Sequence, residues 1–103
     1  MPFHFLVRFE PRPGASDEFR QELLRVVEAS RREPGCVSIR AFESLGEPAL
    51  FGIHSEWTDE AAFETHAQLP HTVRFVGAAE RLLTRGISGL RARQIAGGRG
   101  AGA

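Results

Sequence analysis

Residues 36–57 read CVSIRAFESLGEPALFGIHSEW, and this stretch decides the fold. Val37, Ile39 and Ala41 recur at every second position, so residues 36–45 read as a strand with those three on one face. Gly46-Glu47-Pro48 is a turn. Residues 49–57 alternate again. Ala49, Phe51, Ile53, Ser55 and Trp57 fall on one face; Leu50, Gly52, His54 and Glu56 fall on the other. Two such runs this close in sequence predict a β-hairpin.

Upstream of the hairpin lie a strand and a helix. Phe3, Phe5, Val7 and Phe9 share one face of a first strand, with His4, Leu6, Arg8 and Glu10 opposite. Pro11 and Pro13-Gly14 end it. Ser16 or Asp17 is then expected to cap a helix whose apolar stripe is Phe19, Leu23, Val26, Val27 and Ser30. Arg31 and Arg32 fit its last turn, and Pro34-Gly35 stops it. Downstream, Thr58 or Asp59 caps a second helix over about residues 59–68. Pro70 opens a further helical stretch over about 71–84, with Val73, Val76, Ala79, Leu82 and Leu83 as its stripe. Gly86 breaks it, and residues 87–95 read as a last strand.

The order is strand, helix, strand, strand, helix, strand. That is the α+β, ferredoxin-like split βαβ pattern, a four-stranded antiparallel sheet with helices on one face. The other sheet face is left without a layer. Its expected residues are His4, Leu6, Arg8, Ser38, Arg40, Phe42, Leu50, His54 and Glu56, too apolar to stay wholly wet. A homodimer stacked through Arg8, Arg40, Phe42, His54 and Glu56 would cover it, with the two arginines available to pair Glu56.

Composition narrows the chemistry. The 103 residues suit one domain, expected over residues 1–96, followed by a disordered Gly/Ala-rich tail at 97–103. Thirteen acidic residues balance thirteen basic ones, and every base is Arg. Without Lys there is no Schiff base and no P-loop lysine. Without Tyr there is no phenolic acid or base. Residues 81–103 hold five Arg and no acid, but no aromatic lies between them to stack bases. This end reads as a strand and a solvated tail, so no nucleic-acid partner is expected. No apolar run reaches the length of a membrane span and no signal pattern opens the chain, so no membrane partner and a cytoplasmic location are expected. The single cysteine, Cys36, forms no intrachain disulfide and reads as a small buried residue at a strand start. The four histidines show neither HxxxH nor HExxH spacing, and no metal is expected.

Punctuation and motif together resemble a known family. Pro13-Gly14, then Glu33-Pro34-Gly35-Cys36, then Glu56-Trp57-Thr58-Asp59-Glu60-Ala61-Ala62-Phe63-Glu64-Thr65-His66, with Leu69-Pro70-His71 and Phe75 after it, resemble the antibiotic biosynthesis monooxygenase family. The resemblance runs from about residue 3 to about residue 95. It implies a dimeric α+β barrel. It also implies one of several chemistries: oxidation of aromatic rings by O2 without metal or flavin, haem cleavage, or sugar-phosphate isomerisation. The haem-cleaving pattern wants an Asn on the first strand and a His ligand on the later helix. Val7 and Val76 fall near those slots, so that branch is disfavoured.

The resemblance places Trp57 on a pocket wall and His66 as general base, with His71 as its aid. Imidazole takes and returns a proton near neutrality. The helix start after Pro70 would keep the His71 ring neutral, although capping or solvent exposure is an equal reading. The expected substrate is a phenolic or quinol ring, held among Trp57, Phe5, Val7, Phe19, Leu23, Phe51, Ile53, Phe63 and Phe75. No cofactor is expected; the substrate and O2 would supply the chemistry. Two other readings stay open. One is a non-oxidative isomerase or lyase on a small carbonyl compound. The other is a non-catalytic dimer that binds an aromatic metabolite.

Overall fold

Apolar alternation puts Phe3, Phe5, Val7 and Phe9 on the covered face of the first strand, and that strand lies inside the sheet. The computed structural model describes residues 1–103. Its elements are β1 (Phe3–Phe9), α1 (Ser16–Ser30), β2 (Cys36–Glu43), β3 (Phe51–Trp57), α2 (Glu60–Ala67), α3 (Pro70–Leu82) and β4 (Gly89–Ala92). The sheet order is β2-β3-β1-β4, antiparallel throughout. This is the α+β, ferredoxin-like arrangement expected from the sequence, with the last helical layer split into α2 and α3.

Several local expectations are corrected. Val37 does not share a face with Ile39 and Ala41. A bulge between Cys36 and Ser38 takes it out of register, and Val37 is exposed. Cys36 stands opposite Trp57 instead. A bulge adds a residue without disturbing the alternation on either side, so the pattern alone hides it. Residues 49 and 50 precede β3, which starts at Phe51, although Ala49 still packs on the core. β4 is four residues long rather than nine. α1 is preceded by Ala15, with no side-chain cap from Ser16 or Asp17. Asp59 does cap α2, its carboxylate accepting from Ala62 N at 2.8 Å. The buried face of α3 is Thr72, Phe75, Ala79 and Leu82. Val73 points outward because Phe75, two positions on, sets the inward phase. Leu83 leaves the helix and bridges Pro11.

The core has two parts. The larger joins Phe9, Phe19, Leu23, Val26, Phe51, Phe75, Ala79, Leu82 and Leu83 between sheet, α1 and α3. Each Phe, Leu and Val side chain among them contributes about 1.5–3 kcal/mol by leaving water. The smaller joins Phe3, Trp57 and Phe63, with Phe5, Cys36 and Ala62 against it. Two charged clamps tie the helices to the sheet edges. Arg20 on α1 donates to both carboxylate oxygens of Glu43 on β2, at 2.8 and 2.7 Å. Arg91 on β4 pairs with Glu60 at 2.8 Å and with Glu64, and its guanidinium lies 5.3 Å from the Phe63 ring centre. The paired arginine holds the Glu43 carboxyl below its ordinary range.

On the far sheet face, His4 is buried and His54 is half-buried, and their rings stack. His4 Nδ1 lies 2.8 Å from His54 Nε2. Arg93, Gln94 and residues 96–99 border a groove along this face with His4, Arg40, His54 and Glu56. The face is therefore less bare than the element order implies.

Candidate active site

The site begins with a turn. α1 ends at Ser30, whose carbonyl accepts from Glu33 N at 3.0 Å. Glu33 O then accepts from Cys36 N at 3.0 Å, and Gly35 O from Thr58 N at 2.9 Å. These bonds fix residues 33–36 between α1 and the start of α2. The Glu33 side chain is only 9% exposed and turns inward.

Two histidines meet it. His66 lies in the last turn of α2, and Pro70 at the first position of α3 places His71 one residue later. Proline suits that position, having no N–H to leave unpaired, and it keeps Leu69 extended. The chain therefore bends between the two rings and brings both to one carboxylate. His66 Nδ1 lies 2.8 Å from Glu33 Oε2, and His71 Nε2 lies 2.7 Å from the same oxygen. With Glu33 ionised, both ring N–H groups donate and the oxygen accepts twice. Thr72 Oγ1 stands 3.3 Å from His66 Nδ1.

An ionised Glu33 favours the His66 tautomer with its proton on Nδ1. A neutral ring with its proton on Nδ1 carries a lone pair on Nε2. Nε2 bonds no other group of the protein. The Trp57 ring supports the imidazole from behind, with ring centres 4.5 Å apart.

His66 and Thr72 also line a cavity of about 190 Å³ at the seam between the two core clusters. Phe5, Val7, Ile53, Phe63 and Phe75 form apolar walls, joined by Val26, Ile39, Val76 and Ile87. Four polar side chains touch it: Ser30, Ser55, His66 and Thr72. The Ser30 hydroxyl is buried and has no hydrogen-bond partner.

A sequence comparison matches residues 2–78 to the family described as antibiotic biosynthesis monooxygenase. The chain belongs to that family. It is 34% identical over 73 residues to "Putative monooxygenase YcnE" of Bacillus subtilis, covering 71% of this chain and 77% of that one. It is 32% identical over 89 residues to "Putative monooxygenase Rv0793" of Mycobacterium tuberculosis, covering 84% and 85%. The solved structure of Rv0793 superposes with a TM-score of 0.87 at 25% identity, covering 96% of this chain and all of that one. PA3566 of Pseudomonas aeruginosa gives 0.84 at 27% identity, covering 92% and 95%.

In this antibiotic biosynthesis monooxygenase family member, the expected site residues divide. Phe5, Val7, Ile53, Phe63, Phe75 and His66 meet at the cavity. Phe19, Leu23 and Phe51 do not; they lie in the larger core cluster. Trp57 does not line the cavity either. It is fully buried, with Nε1 unbonded, and its contact with the site is through the His66 ring. His71 is neither a cap nor a free surface ring, since Glu33 holds it.

Glu33 is the residue that sequence reasoning passed over as mere punctuation. The metal test likewise sought spacing within one helix. Here one carboxylate and two imidazoles come together from a turn and two helices, their nearest ligand atoms all within 4.8 Å of one another. An acid in a Pro-Gly turn, with two histidines five apart across a proline, is the pattern that could have pointed to it.

Proposed function

We propose that this protein is a cofactor-independent monooxygenase of a small phenolic or quinol ring, with His66 as its base. One observation carries the reading: an imidazole held by a sheltered carboxylate lines a mostly apolar cavity. Its free Nε2 is available to take a phenolic proton. The cavity volume suits one ring or a compact bicycle, since a dry 150 Å³ cavity already holds benzene. Ser55 and Thr72 offer hydroxyls to ring oxygens.

The chemistry balances with O2 alone. His66 removes the phenolic proton, and the electron-rich ring reduces O2. A C–O bond forms at a ring carbon that carries hydrogen. The O–O bond then breaks, and that ring hydrogen leaves with the phenolic proton in water. A phenol plus O2 gives a quinone plus water, with all four electrons drawn from the ring. The apolar walls keep bulk water from the intermediate.

Glu33 orients His66 and balances the charge it gains, while His71 shares the same oxygen. The second copy expected on the far sheet face belongs to the same proposal. Leu6, Phe42 and Leu90 are exposed there and would be covered by a partner sheet. Light scattering at micromolar concentration reads this directly: twice the 11.4 kDa chain mass supports the dimer, and the single-chain mass refutes it.

The function is tested by oxygen uptake of metal-stripped protein with phenols, naphthols, anthrones and quinols, beside an anaerobic control. Uptake above autoxidation that His66→Ala abolishes supports the reading. Equal uptake by wild type and His66→Ala removes His66 as base. Turnover that persists without oxygen replaces the oxygenase with a non-oxidative enzyme.

A further inference from the structure

We propose that Glu33, His66 and His71 form a binding site for one divalent first-row transition-metal ion. The inference rests on the geometry of the three side chains and not on the oxygenase reading above.

The donor set is one carboxylate oxygen and two imidazole nitrogens, a combination that suits Zn2+, Fe2+ or Co2+. Bonds of about 2.1 Å would hold neighbouring donors about 3.0 Å apart at right angles and about 3.4 Å apart at tetrahedral angles. Glu33 Oε2 already stands 2.8 Å from His66 Nδ1 and 2.7 Å from His71 Nε2. The third pair also lies within 4.8 Å. An ion therefore needs each of the two Glu33 edges to open by less than about 0.8 Å, within the reach of small side-chain rotations.

Charge points the same way. The chain has thirteen arginines, yet none pairs with the sheltered Glu33 carboxylate; its partners are the two imidazoles. A dication would meet one negative charge and two neutral donors. Three protein ligands leave at least one coordination position for water or a small ligand, as at catalytic rather than structural sites. Both rings would be neutral, with their protons moved to the nitrogen away from the ion. His66 would then present N–H at Nε2, so that a bound ion turns it from acceptor to donor.

The experiment is equilibrium dialysis and calorimetry of tag-free, chelator-treated protein with Co2+ and with Zn2+, without substrate. The expected result is one ion per chain, a visible Co2+ spectrum, and affinity lowered at least tenfold in each of Glu33→Gln, His66→Ala and His71→Ala. Circular dichroism of each apo variant confirms that it folds. His4→Ala/His54→Ala removes the other histidine pair and should leave binding unchanged. Absence of stoichiometric binding overturns the proposal. So does binding that survives the three substitutions, or that disappears with His4 and His54. Because the readout is binding alone, failure here leaves the oxygen-uptake test of His66 untouched, and failure there leaves this one.

Discussion

A β-carbon on Gly35 would stand 2.5 Å from the Ala62 methyl, well inside van der Waals contact. The turn that carries Glu33 is therefore pressed against α2, the helix that carries His66. Gly35→Ala should push the two apart and lengthen the Glu33–His66 bond. The expected loss is about 1–3 kcal/mol of stability, the usual range for overpacking. Chemical denaturation checks it, and adding Ala62→Gly should restore most of the loss despite the helix propensity given up. A Gly35→Ala variant as stable as wild type would show that the contact is slack.

Gly89 makes a similar approach to the cavity wall. A β-carbon there would lie 2.0 Å from the tip of the Phe5 ring. That ring packs against Phe63 at 4.6 Å between centres, so it has little room to swing. Gly89→Ala should displace Phe5 and narrow or distort the cavity. In steady-state kinetics on an active substrate, KM should rise more than kcat falls. Phe5→Leu in the same chain should recover the melting temperature. No change in either quantity would show that the Phe5 ring yields without narrowing the cavity.

Ser30 gives a prediction of the opposite sign. Its hydroxyl is buried and bonds to nothing in the protein. Replacing it with Ala removes an unmet polar group and adds helix propensity, so stability should hold or rise by up to about 1 kcal/mol. Thermal unfolding measures this. A fall of several degrees would mean that the hydroxyl has a partner, such as an ordered water.

Cys36 titrates above its ordinary range, first because burial disfavours the thiolate and second because Glu33 is near. The thiolate is the nucleophile, so iodoacetamide should label the folded protein more slowly at pH 8 than the unfolded chain. The linkage has a definite sign. The unfolded thiol loses its proton first, so this group's contribution to stability is intact below the unfolded thiol's titration. It declines as pH rises towards the folded value. Cys36→Ser should flatten that decline. Labelling of the native state at the rate of the unfolded chain would contradict the shift.

What was legible in the sequence was what repeats. Alternation in β1 and β3 gave correct faces, and the stripe Phe19, Leu23, Val26 and Ser30 gave the buried side of α1. What escaped does not repeat. The bulge at Val37 adds one residue between two intact runs. α3 offered Val73 and Val76 as apolar positions, yet only tertiary packing could choose Phe75 and Thr72 as the inward phase. Phe19 and Phe51 look like pocket aromatics until the distance to the seam is known. Glu33 is legible only as a turn residue, because its meaning lies in two rings more than thirty positions away.

The seam cavity also limits how this protein can change. Phe9, Val26 and Phe75 line it while forming part of the main core. Carving space there for a larger substrate removes core packing, at about 2–5 kcal/mol for each large-to-alanine step. Val76 and Ile87 line the same cavity but remain partly open to solvent. Evolution, or an engineer, can vary those two at small structural expense. Substrate range in this scaffold should therefore drift through its rim while its interior stays nearly fixed.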